Sequence, residues 1–262
     1  MTRPPTGPDA RLPPFAVEAR RSLTVFGAPV ELVFVPARQQ RGDRATAERP
    51  AFRRSRAATI AAEEALWRDE RHLVTPNRYP FADHQRILWP AAAKRDPDLA
   101  MWTTICDWAD AGGSALLNSI GAAATIARAH AHLLPERSPF LAALRERPLR
   151  SDLIDVPPGA ALVAKDVPFC LLGVRGDAAP RAEALVRLAE ARLTAACNVV
   201  VQDHTAWLFP RRAETPAPHF PFALGAAEVW GRWCYGERPP FAAATGSDLE
   251  RALVAAGTEP LP

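Results

Sequence analysis

The chain has 262 residues, 48% of them hydrophobic and 23% charged, which excludes a disordered, collagenous or coiled-coil chain. Its length fits one large domain or two tightly joined halves. Net charge is only +3, with 32 basic side chains spread among 29 acidic ones, so a nucleic-acid partner is not favoured.

In chain order, residues 1–15 are Pro-rich and read as a disordered N-terminal arm. Ser22–Phe26 and Val30–Val35 read as a strand pair joined at Gly27-Ala28-Pro29. Arg38–Arg56 carries seven arginines and reads as a surface loop. Ala57–Arg68 has helical composition. His72–Thr75 and Gln85–Trp89 are strand-like, separated by the turn-rich Pro76-Asn77-Arg78-Tyr79-Pro80. Asp96–Ala111 places Leu99, Trp102, Ile105 and Trp108 at helical spacing. Strands are expected at Ala115–Ile120 and Ala127–Leu134, then near Ala160–Val163, Phe169–Val174, Asn198–Gln202 and Ala206–Phe209. Helices fit Arg181–Ala195 and Gly246–Ala256. This order predicts an α+β fold with a mostly antiparallel sheet and flanking helices, a single domain over 16–262. Its halves, about 16–150 and 151–262, leave a diverged internal duplication open, although no sequence repeat stands out.

No apolar run approaches the ~18–20 residues of a membrane-spanning helix. Met1 to Pro14 lacks the apolar stretch of a signal peptide. Cys106, Cys170, Cys197 and Cys234 are widely spaced, with no CxxC pair, which argues against zinc ribbons and disulfide frameworks. A cytoplasmic protein with reduced, structural thiols and no membrane partner is expected. Arginine supplies nearly all the positive charge, since only Lys94 and Lys165 are lysines; with the abundant Ala and Pro, this points to a high-GC bacterial genome.

The chemistry is expected around His130-Ala131-His132-Leu133-Leu134. On a strand, His130, His132 and Leu134 share one face, while Ala131 and Leu133 point into the core. Two imidazoles on one face are compatible with a nucleophile and its orienting partner, with half a metal site, or with two structural histidines. Just upstream, Leu117-Asn118-Ser119-Ile120-Gly121-Ala122-Ala123-Ala124 ends a strand in Asn and Gly, followed by small residues, which lets the backbone approach a phosphate closely. Asn77 lies in the turn before His84. Asn198-Val199-Val200-Val201 leads to Trp207-Leu208-Phe209-Pro210-Arg211. Arg38 and Arg211 read as bidentate anion clamps or as surface salt-bridging residues. The tryptophans read mainly as core residues, and Glu228 reads either as a structural carboxylate or as a member of the site.

Taken in this order, these segments resemble the histidine-triad-like superfamily. The resemblance is to the branch of galactose-1-phosphate uridylyltransferase, diadenosine tetraphosphate phosphorylase and the GDP-hexose phosphorylases. It spans roughly residues 22–256. The resemblance implies nucleotidyl transfer from a nucleoside diphosphate compound, either a sugar nucleotide or a dinucleoside polyphosphate. A covalent nucleotidyl-histidine would form on His132, with His130 orienting the site as the branch's first His does, a residue that in some members belongs to a structural metal site; no cofactor is expected. It further implies substrate contacts from Asn77, Asn118, Gly121 and Thr125, and a monomer or homodimer. The branch's Gln two residues after its second His is Leu134 here, and its Gly-Ala-Ser stretch is replaced at Thr125-Ile126-Ala127. Two alternatives follow: a non-catalytic nucleotide-binding descendant, or altered chemistry (hydrolase or lyase) with a metal held by His84, His130 and His132.

Overall fold

A computed structural model of the chain describes residues 4, 7, 9–41, 63–149, 154–192 and 194–261. Strands β1 (Ala19–Val25) and β2 (Ala28–Phe34) form a hairpin in which Val25 pairs with Ala28. Its loop is Phe26-Gly27, both at positive φ (49° and 77°), the backbone a two-residue hairpin turn requires. The turn therefore precedes the expected Gly27-Ala28-Pro29, and the strands shift with it. A 3-10 helix follows over Pro36–Arg41. The rest of the expected Arg38–Arg56 loop lies outside the described residues. So does the expected helix over 57–62; where that segment re-emerges, Trp67–Arg68 is strand β3.

There follow β4 (His72–Pro76), β5 (Arg86–Pro90), α1 (Leu99–Asp110), β6 (Ser114–Asn118), β7 (Ala131–Leu134), α2 (Pro139–Ala143) and β8 (Glu146–Pro148). The second half adds β9 (Ala160–Lys165), β10 (Leu172–Gly176), α3 (Ala178–Ala191), β11 (Cys197–Gln202) and β12 (Thr205–Pro210). The chain then runs through α4 (Ala226–Trp230), β13 (Arg232–Tyr235), α5 (Arg238–Ala243) and α6 (Gly246–Ala256). Helix α1 starts later than the expected Asp96 because Asp98 is its cap: its carboxylate accepts the Met101 N–H at 3.0 Å. Strand β7 starts later than the expected Ala127, since 127–130 run as loop up to His130.

One ten-stranded sheet has the order β3-β4-β5-β7-β6-β11-β12-β10-β9-β8, with every ladder antiparallel. Read inward from either edge, the topology is the same. Three meandering strands and a helix are followed by a hairpin whose second strand lies outside its first, β3-β4-β5-α1-β6-β7 matching β8-β9-β10-α3-β11-β12. The two halves join through β6 and β11, where Asn118 pairs with Asn198 and Leu116 with Val200.

Helices α1 and α3 cover one face of this sheet. Met101, Ile105 and Trp108 pack there with Leu185 and Leu188 over Leu133, Val199 and Leu208. Each such large apolar side chain contributes about 2 kcal/mol when buried. The other face is covered by a second sheet, β1-β2-β13, in which β13 runs parallel to β2, and by α4 and α6. Trp207, Phe209, Leu116 and Leu134 meet Trp230, Trp233 and Phe220 in that layer. The sequence reading found the β1–β2 pair but missed β13 and the way this small sheet lies over the histidine face of β7. The segment expected as a disordered arm is docked at least from Asp9 onward: Arg11 donates to Ala65 and Leu66 carbonyls, and Phe15 is buried.

Candidate functional site

The site is built where β5, β7, β6 and β11 present their small-sheet face. Register pairs His132 with Ile87 on one side and Leu116 on the other. One step along, Leu88 and Leu117 both pair with Ala131, which sets Trp89 and Asn118 on either side of His130. Trp89 stacks on the His130 ring, centroids 5.0 Å apart and planes at 28°. The His130 and His132 rings are 5.6 Å apart, edge to face, and Phe81 meets His132 edge-on at 5.4 Å. His130 is buried and His132 half-buried. His130 Nδ1 lies 2.8 Å from the Arg128 carbonyl, and His132 Nδ1 lies 2.8 Å from Gln85 Nε2.

Above the pair lies the turn that carries Asn77. Its side chain is turned on its own loop, accepting the Tyr79 N–H and donating to the Tyr79 carbonyl, each at 3.2 Å. Arg38 donates to that same carbonyl at 3.1 Å, and its guanidinium lies 5.8 Å from the Phe81 ring centre. The structure thus brings Arg38, Asn77 and Phe81 to the His132 side.

On the other side, polar groups follow the β6–β11 seam. Asn118 Oδ1 accepts from Asn198 Nδ2 and from the Ala226 N–H, each at 2.7 Å. Asn198 in turn donates to the Ala122 carbonyl and accepts from Arg211. Arg211 also donates to the carbonyls of Ala213, Glu214 and Leu224. Burial holds this guanidinium down to about 10, against opposing pulls from Glu228 and Glu214, so it stays charged at neutral pH. Glu228 accepts the Gly225 N–H at 2.8 Å and closes the start of α4.

The loop from Asn118 to His130 is tied down at its start. Ser119 Oγ accepts the Cys197 N–H at 2.7 Å, and Ala123 N–H donates to Glu214. Gly121 has φ +85°, and a Cβ there would come within 3.1 Å of Ala196, so both backbone shape and space call for glycine. Thr125 is half-buried later in the same loop, and His84, just before β5 and next to Gln85, is exposed with φ 53°. Among the described residues, no three or more His, Cys, Asp or Glu side chains are grouped to hold a metal ion.

No protein-family profile matches the chain, and no curated protein is similar to it in sequence. Solved structures are similar to it in shape. Yeast Ap4A phosphorylase Apa2 in complex with Ap4A superposes with a TM-score of 0.69 at 14% identity, covering 96% of this chain and 93% of that one. The same enzyme in complex with AMP gives 0.69 and 14%, covering 95% and 91%. The chain has the histidine-triad-like fold.

Leu134 is fully buried in the layer beneath the small sheet, with no polar group to offer. In the register, Arg86 pairs with Leu133, which puts Gln85 opposite Leu134. A carboxamide from the neighbouring strand thus reaches His132 in a site whose own strand lacks one. Sequence reasoning passed over Gln85, Phe81 and Trp89 as members of the site. Gln85 falls on the same face as Ile87 and Trp89, but only the β5–β7 register shows that this face meets the histidines.

Proposed function

We propose that this protein is a nucleotidyltransferase of the phosphorylase type, acting on a nucleoside diphosphate compound, either a sugar nucleotide or a dinucleoside polyphosphate. The observation that carries the reading is the pair His130 and His132, in ring contact and bordered by Asn118, on a fold shared with an Ap4A phosphorylase. In this reading, a nucleoside monophosphoryl group passes to a histidine as the P–O–P bond breaks, and the sugar phosphate or the remaining nucleoside polyphosphate departs. Phosphate or a sugar phosphate then takes it up, so one difficult displacement becomes two in-line steps. His132 stands at the position that the resemblance gives to the nucleophile. Asn118 and the Gly121 loop border the phosphate, and Arg38 supplies positive charge on the Asn77 side. The site would use no cofactor, and the protein would act in the cytoplasm as a monomer or homodimer.

Turnover of nucleoside diphosphate compounds by His132→Ala tests this directly. The reading expects loss of turnover with an unchanged circular dichroism spectrum; unchanged turnover would sink it. Buried Leu134 favours a second reading, a descendant that binds nucleotides without turnover, because donors that act only on the transition state are what such a descendant can discard. Tight nucleotide binding with no product from any nucleoside diphosphate compound would select that reading.

A further inference from the structure

Arg211, just after β12, is buried, and its guanidinium has as many acceptors as it has N–H groups. Nε donates to the Ala213 carbonyl at 3.1 Å. One terminal nitrogen donates to Asn198 Oδ1 at 2.6 Å and to the Leu224 carbonyl at 2.5 Å, the other to the Ala213 and Glu214 carbonyls at 2.7 and 3.0 Å. No N–H is left for a bound anion. The charge has another route to the site, through two carboxamides. A guanidinium only donates, so the Asn198 atom that faces it is the oxygen. The nitrogen of fully buried Asn198 is on the other branch, donating to the Ala122 carbonyl at 2.8 Å and to Asn118 Oδ1 at 2.7 Å. Asn118 Oδ1 is pinned as oxygen in the same way, by the Ala226 backbone N–H at 2.7 Å. Asn118 is half-buried, and among the described residues nothing accepts from its Nδ2. The register sets Asn198 on one side of Asn118 and His130 on the other. With its oxygen turned to Asn198, Asn118 turns its NH2 to the histidine side.

We propose that Asn198 and Arg211 are positioning residues that aim and strengthen the Asn118 NH2 as the donor to a phosphoryl oxygen beside the histidine pair. Each link draws electron density toward the cation. An Arg211 N–H polarises the Asn198 carbonyl, which makes the Asn198 NH2 a better donor, and the same step repeats in Asn118. The buried cation thus acts on the bound anion without touching it. Asn198 also prevents the Asn118 amide from turning over, since a reversed amide would set two NH2 groups against each other and leave the Ala226 N–H unmet. That the acceptor is a phosphoryl oxygen rests on the function proposed above; the orientation of the two carboxamides rests on the hydrogen bonds alone.

The test has a ligand-free part and a ligand part. In nitrogen-15 NMR of the full-length wild type, with side-chain amides assigned through the backbone, the Asn198 NH2 protons should be protected from exchange with water and those of Asn118 should exchange rapidly. Protected Asn118 protons, or Asn198 protons in rapid exchange, would overturn the orientation. Calorimetric titration with AMP then compares the wild type with Asn118→Ala, Asn198→Ala and the double variant, each checked for an unchanged circular dichroism spectrum. Each single change should weaken AMP binding about tenfold, and the double variant should bind no more weakly than Asn118→Ala, because Asn198 acts through Asn118. Wild-type affinity in Asn198→Ala, or losses that add in the double variant, would overturn the relay. Asn118→Asp keeps an oxygen toward Asn198 and Ala226 and turns an anionic oxygen to the site, so it should bind AMP more weakly than Asn118→Ala; unchanged affinity would overturn the donor. A wild type that does not bind AMP would overturn the function proposed above and the phosphoryl contact with it, while the NMR result decides the orientation by itself.

Discussion

Arg211 spends its guanidinium on the protein itself. Carbonyls of Ala213, Glu214 and Leu224 and the side chain of Asn198 take its N–H groups, and this ties the loop after β12 to the β6–β11 seam. Arg211→Met keeps the length of the side chain and leaves those acceptors unmet. Hydrogen bonds to a charged group are worth about 1.5–3 kcal/mol, so we expect a loss of about 3 kcal/mol in urea unfolding. Full stability with lost nucleotide affinity would instead make Arg211 an anion clamp. Leu134 gives the converse case. Restoring a carboxamide by Leu134→Gln sets a polar group into an apolar layer, and we expect a loss of about 1–3 kcal/mol with no gain in turnover. A variant that gains turnover would show that the missing Gln is the missing chemistry. At this scale the two histidines and the Asn–Gly loop were legible, because rare residue types in a fixed order carry information. Gln85 was not, since a glutamine beside an exposed histidine has no local pattern until the β5–β7 register places it across from Leu134.

Elements with their own local signals were read most closely. Helix α6 begins and ends as expected, with Thr245 capping it by accepting the Asp248 N–H at 3.2 Å. Helix α1 shows the same physics from an acidic cap, and Asp98→Ala should cost about 1 kcal/mol, measured as a fall in the thermal midpoint, with Asp98→Asn close to wild type. No change in the alanine variant would mean that packing alone sets the helix start. Strand β13 and the small sheet escaped the reading because Arg232–Tyr235 is too short to show a period and its partner β2 is some two hundred residues away. Strand β4 brings a pH response. Burial holds the His72 imidazole below its ordinary value, opposed by the carboxylate of Asp69. His72 is thus kept neutral in the fold and takes up its proton more readily in the unfolded chain. Its contribution is full above about pH 6.5 and is lost as pH falls from there toward the lowered native value. Unfolding free energy should therefore decline across that window, and the decline should flatten in His72→Asn. An identical slope in the variant would assign the loss to other groups.

Across the whole molecule, the site depends on both layers being held together. Arg232 on β13 bonds Glu31 of β2 at 2.7 Å, Glu136 after β7 at 2.8 Å and the Phe81 carbonyl at 3.0 Å. Phe81 in turn fixes Gln85, which binds His132, so one buried guanidinium links the small sheet to the histidine pair. Arg232→Met leaves two carboxylates without their shared cation. We expect about 3 kcal/mol of lost stability and a larger loss of turnover than Asp98→Ala causes, measured on samples that remain folded. The two halves repeat one strand order, and the order of strands and helices made the fold class readable, while the side chains that surround the histidines were not. Both hairpins satisfy the same packing, but β7 carries histidines on the covered face where β12 carries Trp207 and Phe209. The measurement that bears most directly on the central claim is intact-protein mass spectrometry after incubation with ADP-, GDP- and UDP-linked compounds, with and without phosphate. It compares the wild type with the His130→Ala/His132→Ala double variant. We predict an acid-labile nucleoside monophosphate adduct on the wild type that phosphate discharges and that the double variant lacks. Equal product formation by both proteins would contradict transfer through the histidine pair.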